Sequence, residues 1–333
     1  MRTRLRTVAL LALMGCAVSR AALAANFYFD SRSGADANAG TTPAHAFRSL
    51  ERLAALALKP GDVVRFRRGC TWRGQLNFQG NGTEGSPIRI GAYGEGPKPE
   101  ILGSIRPATW ERVRGELYRV EIPQDAFIGD HAVYGVFDYP PERVPMRLAG
   151  NWRNTALPAD RNCWHYDKDS GYLYAITSDG KPPSEHHLEA SVVSTLAILS
   201  GRSWIEIEDL TLLFGNRIHV AVRGCHDVTL RGLSSLFVGH FGNPNISITH
   251  DSRRVRVLDC FLYESANCGV HVSNGASECE VRACTIVKGR SNDGVTIHDG
   301  YDRQKKTVWL AGDHNVVEGN VIGLFPEESV DVT

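Results

Sequence analysis

A repeated pattern of short apolar segments near the carboxyl end constrains the fold of this chain more than any other feature. The segments IEIEDLTLL, VTLRGLSSL, VRVLDCFLY, CEVRACTIV and NVVEGNVIG align on Ile207, Leu230, Val257, Val281 and Val317. A second series, HVAV, ISIT, VHVS, VTIH and VDVT, runs in step with the first. Short strands that recur every 20–50 residues predict stacked coils, because one coil cannot bury its own apolar face. The last interval is long because residues 301–313 are inserted.

The rest of the chain is also read as mainly β-structure, and 33 glycines favour a chain rich in turns. In residues 25–104, NFYF, DVVRFRRG and SPIRIGAY predict strands, and apolar residues from Phe47 to Ala57 at helical spacing predict a helix. Residues 105–200 form a less regular β-rich insertion, in which CWHYDKDSGYLYAI predicts a hairpin. Residues 201–333 carry the regular coils.

The amino-terminal segment predicts export to the periplasm or the exterior. Residues 1–24 combine a basic start, a short apolar stretch and the small-residue pattern Ala-Leu-Ala, which is typical of a cleaved signal peptide. An alternative is a lipid anchor on Cys16, within Leu-Met-Gly-Cys. No stretch is long and apolar enough to predict a membrane span. A formal net charge of zero gives no reason to expect a nucleic-acid partner.

The repeats resemble the right-handed parallel β-helix proteins of the pectate-lyase-like superfamily. The segments FYFDSRSGADANAGTTPAHAFRSLERL and LKPGDVVRFRRGCTWRGQL are similar to the amino-terminal cap and first coil of many secreted members. The resemblance implies an all-β solenoid with a cap helix, and activity as a polysaccharide lyase, a uronan epimerase or a glycoside hydrolase, or none. Because the sequence ends within a strand, we expect further coils to be missing.

Alternation along the second series predicts which side chains leave the core. Valine and isoleucine point inward, so the intervening residues point outward. Since adjacent coils lie ~4.8 Å apart, two outward rows are expected. The rows are His271, Thr296 and Asp331, and Ser273, His298 and Thr333.

These rows suggest a site for an acidic polysaccharide. Elimination at a uronic acid needs a neutralised carboxylate and a base that removes the C5 proton. We predict His298 and Asp299 as catalytic residues. His271 and the basic pair Lys305 and Lys306 are predicted to bind substrate.

A calcium ion is the predicted cofactor, with Asp293 and Asp331 as its oxygen ligands. The segment Asn-Asp-Gly at 292–294 is similar to the calcium-binding segment of some β-helix pectate lyases, and only Asp293 matches that pattern. The sequence predicts a monomer that acts on an anionic polysaccharide.

Several alternatives remain open at this point. Asp293 and Asp299 fit tight turns, outward histidines are often simply solvated, and the two lysines fit a solvated loop tip. A glycoside hydrolase with Asp299 and Asp331 as its carboxylate pair, or a non-catalytic glycan-binding protein, would use the same scaffold. Cys260 and Cys284 occupy one inward position on adjacent coils, which favours stacked buried thiols over a disulfide.

Overall fold

The computed structural model describes residues 24–139, 146–150, 157–240, 242–290, 293–298, 300–302, 307–309, 312–326 and 328–332. Residues 1–23 of the predicted signal peptide lie outside this set, as do Asp299, Lys305, Lys306 and Thr333. Within the described ranges, no helix has the length and apolar character needed to cross a membrane.

The amino-terminal region contains short strands and one short helix. Its elements are β1 (Asn26–Phe29), a 3₁₀ turn (Pro43–His45), α1 (Leu50–Ala54), β2 (Val63–Arg67), β3 (Thr71–Arg73), β4 (Ile88–Tyr93), β5 (Glu100–Leu102) and β6 (Ser104–Ile105). The predicted strands are confirmed, but the predicted helix is only five residues long. It ends early because Ala57 bridges to Gln79 in a parallel β-contact, which requires extended backbone.

The insertion consists mainly of antiparallel strands. Its elements are β7 (Glu111–Arg114), β8 (Leu117–Glu121), a 3₁₀ turn (Gln124–Ala126), β9 (Val136–Asp138), β10 (Met146–Arg147), β11 (Ala149–Gly150), β12 (Cys163–Asp167), β13 (Tyr172–Ile176), a 3₁₀ turn (Pro183–Glu185) and β14 (Leu188–Ser191). Strands β12 and β13 form the predicted hairpin. The Asp167 carboxylate closes its turn by accepting the Ser170 hydroxyl at 2.6 Å.

Regular coils resume after β14, inside the range assigned to the insertion. Their strands are β15 (Thr195–Ser200), β16 (Ser203–Glu208), β17 (Thr211–Leu213), β18 (Ile218–Arg223), β19 (His226–Arg231), β20 (Ser234–Leu236), β21 (Ile246–Thr249), β22 (Arg253–Leu258), β23 (Phe261–Tyr263), β24 (Val270–Ser273), β25 (Glu280–Arg282), β26 (Thr285–Val287), β27 (Val295–His298), β28 (Gly300–Asp302), β29 (Thr307–Trp309), β30 (Val316–Glu318), β31 (Val321–Gly323) and β32 (Val330–Val332). Strands β28 and β29 form a hairpin within the predicted 301–313 insertion.

Three parallel sheets run along the solenoid. The first sheet has the order β1-β2-β4-β16-β19-β22-β25-β30, the second β15-β18-β21-β24-β27-β32 and the third β3-β5-β17-β20-β23-β26-β31. Each predicted anchor pairs with the next one in the first sheet, from Ile207 through to Val317. The second predicted series forms the second sheet, in the expected register. The third sheet is a separate set of strands that the repeats do not distinguish.

The core fills the space between the three sheets. In the first sheet, Ile90 pairs with Ile207, so the aliphatic row continues across the whole insertion. All of the cysteines in the described part of the chain are free thiols. The Cys260 amide donates to the Cys284 sulfur at 3.4 Å, and both side chains are buried. The prediction of stacked buried thiols is therefore confirmed.

Candidate functional site

The outward face of the second sheet carries three of the predicted site residues, His271, His298 and Asp331. His271 lies beside Thr296, and Thr296 lies beside Asp331 in the next coil. Ser273 lies beside His298 in the parallel row. The inward residues of β24 and β27 are buried in the core, as alternation predicts. Both rows are thus confirmed over the described residues.

Short side chains form most of the floor of this face. They are Ala221, Ser247, Thr249, Ser273 and Thr296. Ser273 and Thr296 are only 2% and 8% exposed, although the sequence predicts that they point away from the core. Short side chains in stacked coils are shielded by their neighbours ~4.8 Å away along the axis. The larger His271 and His298 therefore stand out as the polar groups of this part of the face.

The two histidines form a hydrogen-bonded pair across adjacent coils. His271 Nε2 lies 3.1 Å from His298 Nδ1, and the ring centroids are 4.7 Å apart. The pair forms because β24 and β27 are in register and the two histidine positions are offset by two residues, which keeps both rings on the same face. One nitrogen must donate and the other accept, so the bond fixes complementary tautomers of the two rings.

Burial keeps the first of these rings neutral. Burial, together with the smaller repulsion from the nearby His298, lowers the pKa of His271 to about 4. A neutral His271 can accept the His298 Nδ1–H at neutral pH. In that tautomer, the Nε2 lone pair of His298 is available to take a proton. This arrangement is suited to general-base chemistry.

Asp293 holds the next coil in place. Its carboxylate accepts the Glu328 backbone N–H at 2.8 Å and the Thr296 hydroxyl at 3.4 Å. The side chain is almost fully buried. This is the turn role that the sequence left open for Asp293.

The two predicted calcium ligands have different surroundings. Asp293 is engaged with the backbone and a hydroxyl, while Asp331 lies on the strand of the next coil. Within the described part of the chain, no group of three or more histidine, cysteine or acidic side chains is arranged to hold a metal. Calcium binding remains a prediction, as do the roles of Asp299, Lys305 and Lys306, which lie outside the described residues.

Arg223 is a further outward residue, which the sequence analysis missed. It ends β18 in the row that continues through Thr249, and its side chain is exposed. No ion pair to a carboxylate is found for it among the described residues. The sequence signal was present, because HVAV is followed directly by arginine. Counting three coil steps of ~4.8 Å, Arg223 lies about 14 Å along the axis from His298.

Comparisons with known proteins identify the fold. No family model and no curated protein matches the sequence. Among solved structures, a GH136 lacto-N-biosidase from Eubacterium ramulus is 20% identical, with a TM-score of 0.50, covering 82% of this chain and 42% of that one. A structure named glycoside hydrolase is 13% identical, with a TM-score of 0.53 and coverage of 83% and 77%. The complex of XylC with xylose is 14% identical, with a TM-score of 0.50 and coverage of 92% and 66%.

This chain has a parallel β-helix fold. The chain spans less than half of the length of the lacto-N-biosidase. At these identities the similarity establishes the β-helix fold, and the chemistry of the β-helix must be argued from its own side chains.

Proposed function

We propose that this β-helix is a carbohydrate-active enzyme that cleaves an acidic, uronate-containing polysaccharide by β-elimination. The observation that carries the proposal is the His271–His298 pair on the outward face of the second sheet. A parallel β-helix offers a long face along which a polymer can lie. The short side chains of this face leave room beside the pair.

In the proposed reaction, His298 is the catalytic base and His271 is a positioning residue. His298 Nε2 takes the C5 proton of a uronate, and the electrons of that C–H bond form the C4–C5 double bond. The C4–O bond then breaks with its electron pair, and the leaving oxygen takes up a proton from water. His271 accepts the Nδ1–H of His298 at 3.1 Å, which orients the base and shares its positive charge once the proton is transferred.

Cations must neutralise the substrate carboxylates for this reaction. Arg223 would bind a uronate about three coils away from the base, and Lys305 and Lys306 follow the base closely in sequence. The predicted calcium ion would serve the same purpose. Activity measured with and without a chelator shows whether the substrate carboxylates are neutralised by calcium or by arginine and lysine side chains.

Glycoside hydrolysis is the second candidate function. The observation that favours it is that the similar solved structures include a glycoside hydrolase, a lacto-N-biosidase and a xylose complex. A hydrolase would need a carboxylate pair, and Asp331 with Asp299 is the pair that the sequence offers. Asp331 lies on β32, and Asp299 lies outside the described residues.

The product of the reaction distinguishes the candidates. The protein would be incubated with alginate, pectate and glycosaminoglycans, while absorbance from a C4–C5 double bond is followed. Our proposal predicts that absorbance rises on a uronate polymer. New reducing ends without absorbance would contradict elimination and favour hydrolysis, and retention of a glycan without any cleavage would favour a binding protein.

A further inference from the structure

A cavity of about 620 Å³ lies on the outer side of the third sheet, far from the histidine pair. Strands β3 and β5 supply Arg73 and Glu100 to its wall, and the insertion supplies Arg106 and Tyr139. Leu50 at the start of α1 completes one side. The volume falls within the roughly 300–1,000 Å³ that is usual for small-molecule sites.

A buried carboxylate fixes the two arginines of the wall. Glu189 is fully buried, and Arg73 donates to both of its oxygens at 2.6 and 2.8 Å. Arg106 donates to the same carboxylate through Nε at 3.2 Å and Nη2 at 3.0 Å. A guanidinium has five N–H donors, so these contacts hold each arginine rigidly while using only part of its donor capacity.

A second carboxylate of the lining, on β5, is also held by hydrogen bonds. Glu100 accepts the Tyr139 hydroxyl at 2.9 Å and the Thr71 hydroxyl at 3.0 Å, one on each oxygen. Burial, together with the charge of Glu100, raises the pKa of Tyr139, so its hydroxyl remains a donor. Each carboxylate oxygen retains a further lone pair. The cavity therefore presents oriented acceptors as well as oriented donors.

The charges of the lining cancel. The lining contains three arginines, Arg48, Arg73 and Arg106, and three glutamates, Glu51, Glu100 and Glu189. A carboxylate ligand would meet repulsion from Glu100, and an apolar ligand would leave these groups without partners. A hydroxyl both donates and accepts, so adjacent hydroxyls can bond to a guanidinium and a carboxylate together.

We propose that this cavity binds a neutral sugar residue through adjacent hydroxyls, with the Tyr139 ring as an apolar surface beside it. The site is separate from the proposed catalytic face, since β5 lies three coils before β23 and belongs to another sheet. The cavity gives the amino-terminal end a neutral-sugar specificity in addition to the proposed cleavage of an acidic polymer.

The test measures binding of neutral disaccharides by saturation-transfer NMR and calorimetry. The probes are cellobiose, xylobiose and lactose, with a galacturonate trisaccharide as the charged comparison. We expect saturable binding of at least one neutral probe at millimolar concentration, and weaker binding of the charged probe. Binding should be unchanged in His298→Ala, which separates this site from the catalytic proposal.

Two variants localise the binding. Glu100→Gln removes the charge with little change of shape and should weaken binding about tenfold, whereas the exposed Glu95→Gln should leave binding unchanged. Arg106→Lys keeps the positive charge beside Glu189 but loses the forked N–H donors of the planar guanidinium. This variant should also weaken binding. Thermal unfolding confirms that each variant is folded. Absence of neutral-sugar binding, tighter binding of the trisaccharide, or unchanged binding in folded Glu100→Gln would each overturn the proposal.

Discussion

Two histidines in contact behave differently from two solvated histidines, because only one proton can be shared between the facing nitrogens. The lowered pKa of His271 follows from burial first and from the nearby His298 second. The His271 ring is therefore a neutral hydrogen-bond acceptor over the physiological pH range. Burial of the neutral ring lowers the free energy of unfolding only when the pH becomes acidic.

The pH dependence of stability follows from that lowered pKa. The pKa of His271 falls from an ordinary 6.5 to about 4, so between these values the unfolded chain binds more protons than the folded protein. The free energy of unfolding should thus decrease as the pH falls through this window, by at most about 3 kcal/mol. Urea unfolding of wild type and His271→Asn near pH 7 and near pH 4 measures the difference.

The His271→Asn variant should lose less stability on acidification than the wild type, because asparagine does not titrate. The exposed His45→Asn is the matched control and should keep the wild-type dependence. An identical pH dependence in wild type and His271→Asn would show that His271 is not held neutral by burial.

At the scale of elements, the bends between the first and third sheets are closed by side chains in the later coils. Asn320 accepts the Cys284 amide and donates to the Val281 carbonyl, both at 2.8 Å. In the preceding coil, the Cys284 sulfur accepts the Cys260 amide. From the earlier to the later coils, the residue three positions beyond each anchor therefore changes from one that only packs in the core to one that also forms hydrogen bonds.

Asn320→Ala removes both of these hydrogen bonds at the bend. We expect a loss of about 1–3 kcal/mol in the free energy of unfolding, because an amide and a carbonyl lose their partner. Chemical denaturation measures the loss. His314→Ala, an exposed position in the same coil, should change stability little. Equal stability of the two variants would contradict a structural role for Asn320.

The length of the strands explains why the sequence predicts the register of the second sheet but does not reveal the third sheet. The strands of the second sheet that form its repeat have clear alternation, so their register and the histidine rows could be predicted. In the third sheet β17, β20, β23 and β26 have three residues each, so a single side chain per strand points inward. In β20 that residue is the buried Ser235, which carries no apolar signal. The predicted helix is longer than the observed one because the local spacing of apolar residues carries no information about a β-contact to a distant residue.

At the scale of the whole molecule, contacts between segments that are distant in the sequence could not be predicted from it. Ile90 pairs with Ile207 across the whole insertion, so the first coils appear unrelated to the repeat. The cavity near Glu189 also joins segments from the cap, the third sheet and the insertion. By contrast, the histidine pair comes from adjacent coils, and its closeness followed from the spacing of strands alone.

A polymer that runs along the second sheet should contact both Arg223 and His298. Arg223→Gln is therefore expected to raise KM for a long anionic polysaccharide by roughly three- to tenfold, with little change in kcat. Steady-state kinetics at fixed salt measures this effect. Arg256→Gln, an exposed arginine on the first sheet, is the control and should leave both constants unchanged. An equal effect of both variants would point to general charge attraction instead of a binding face.

The central claim is that His298 removes a proton from a uronate on the face of the second sheet. The most direct measurement is kcat/KM for formation of the unsaturated product by wild type, His298→Ala and the control His45→Ala, on whichever uronate polymer the product screen identifies. We predict a fall of at least about 100-fold in His298→Ala and wild-type activity in His45→Ala. Activity of folded His298→Ala within a factor of about two of wild type would contradict it.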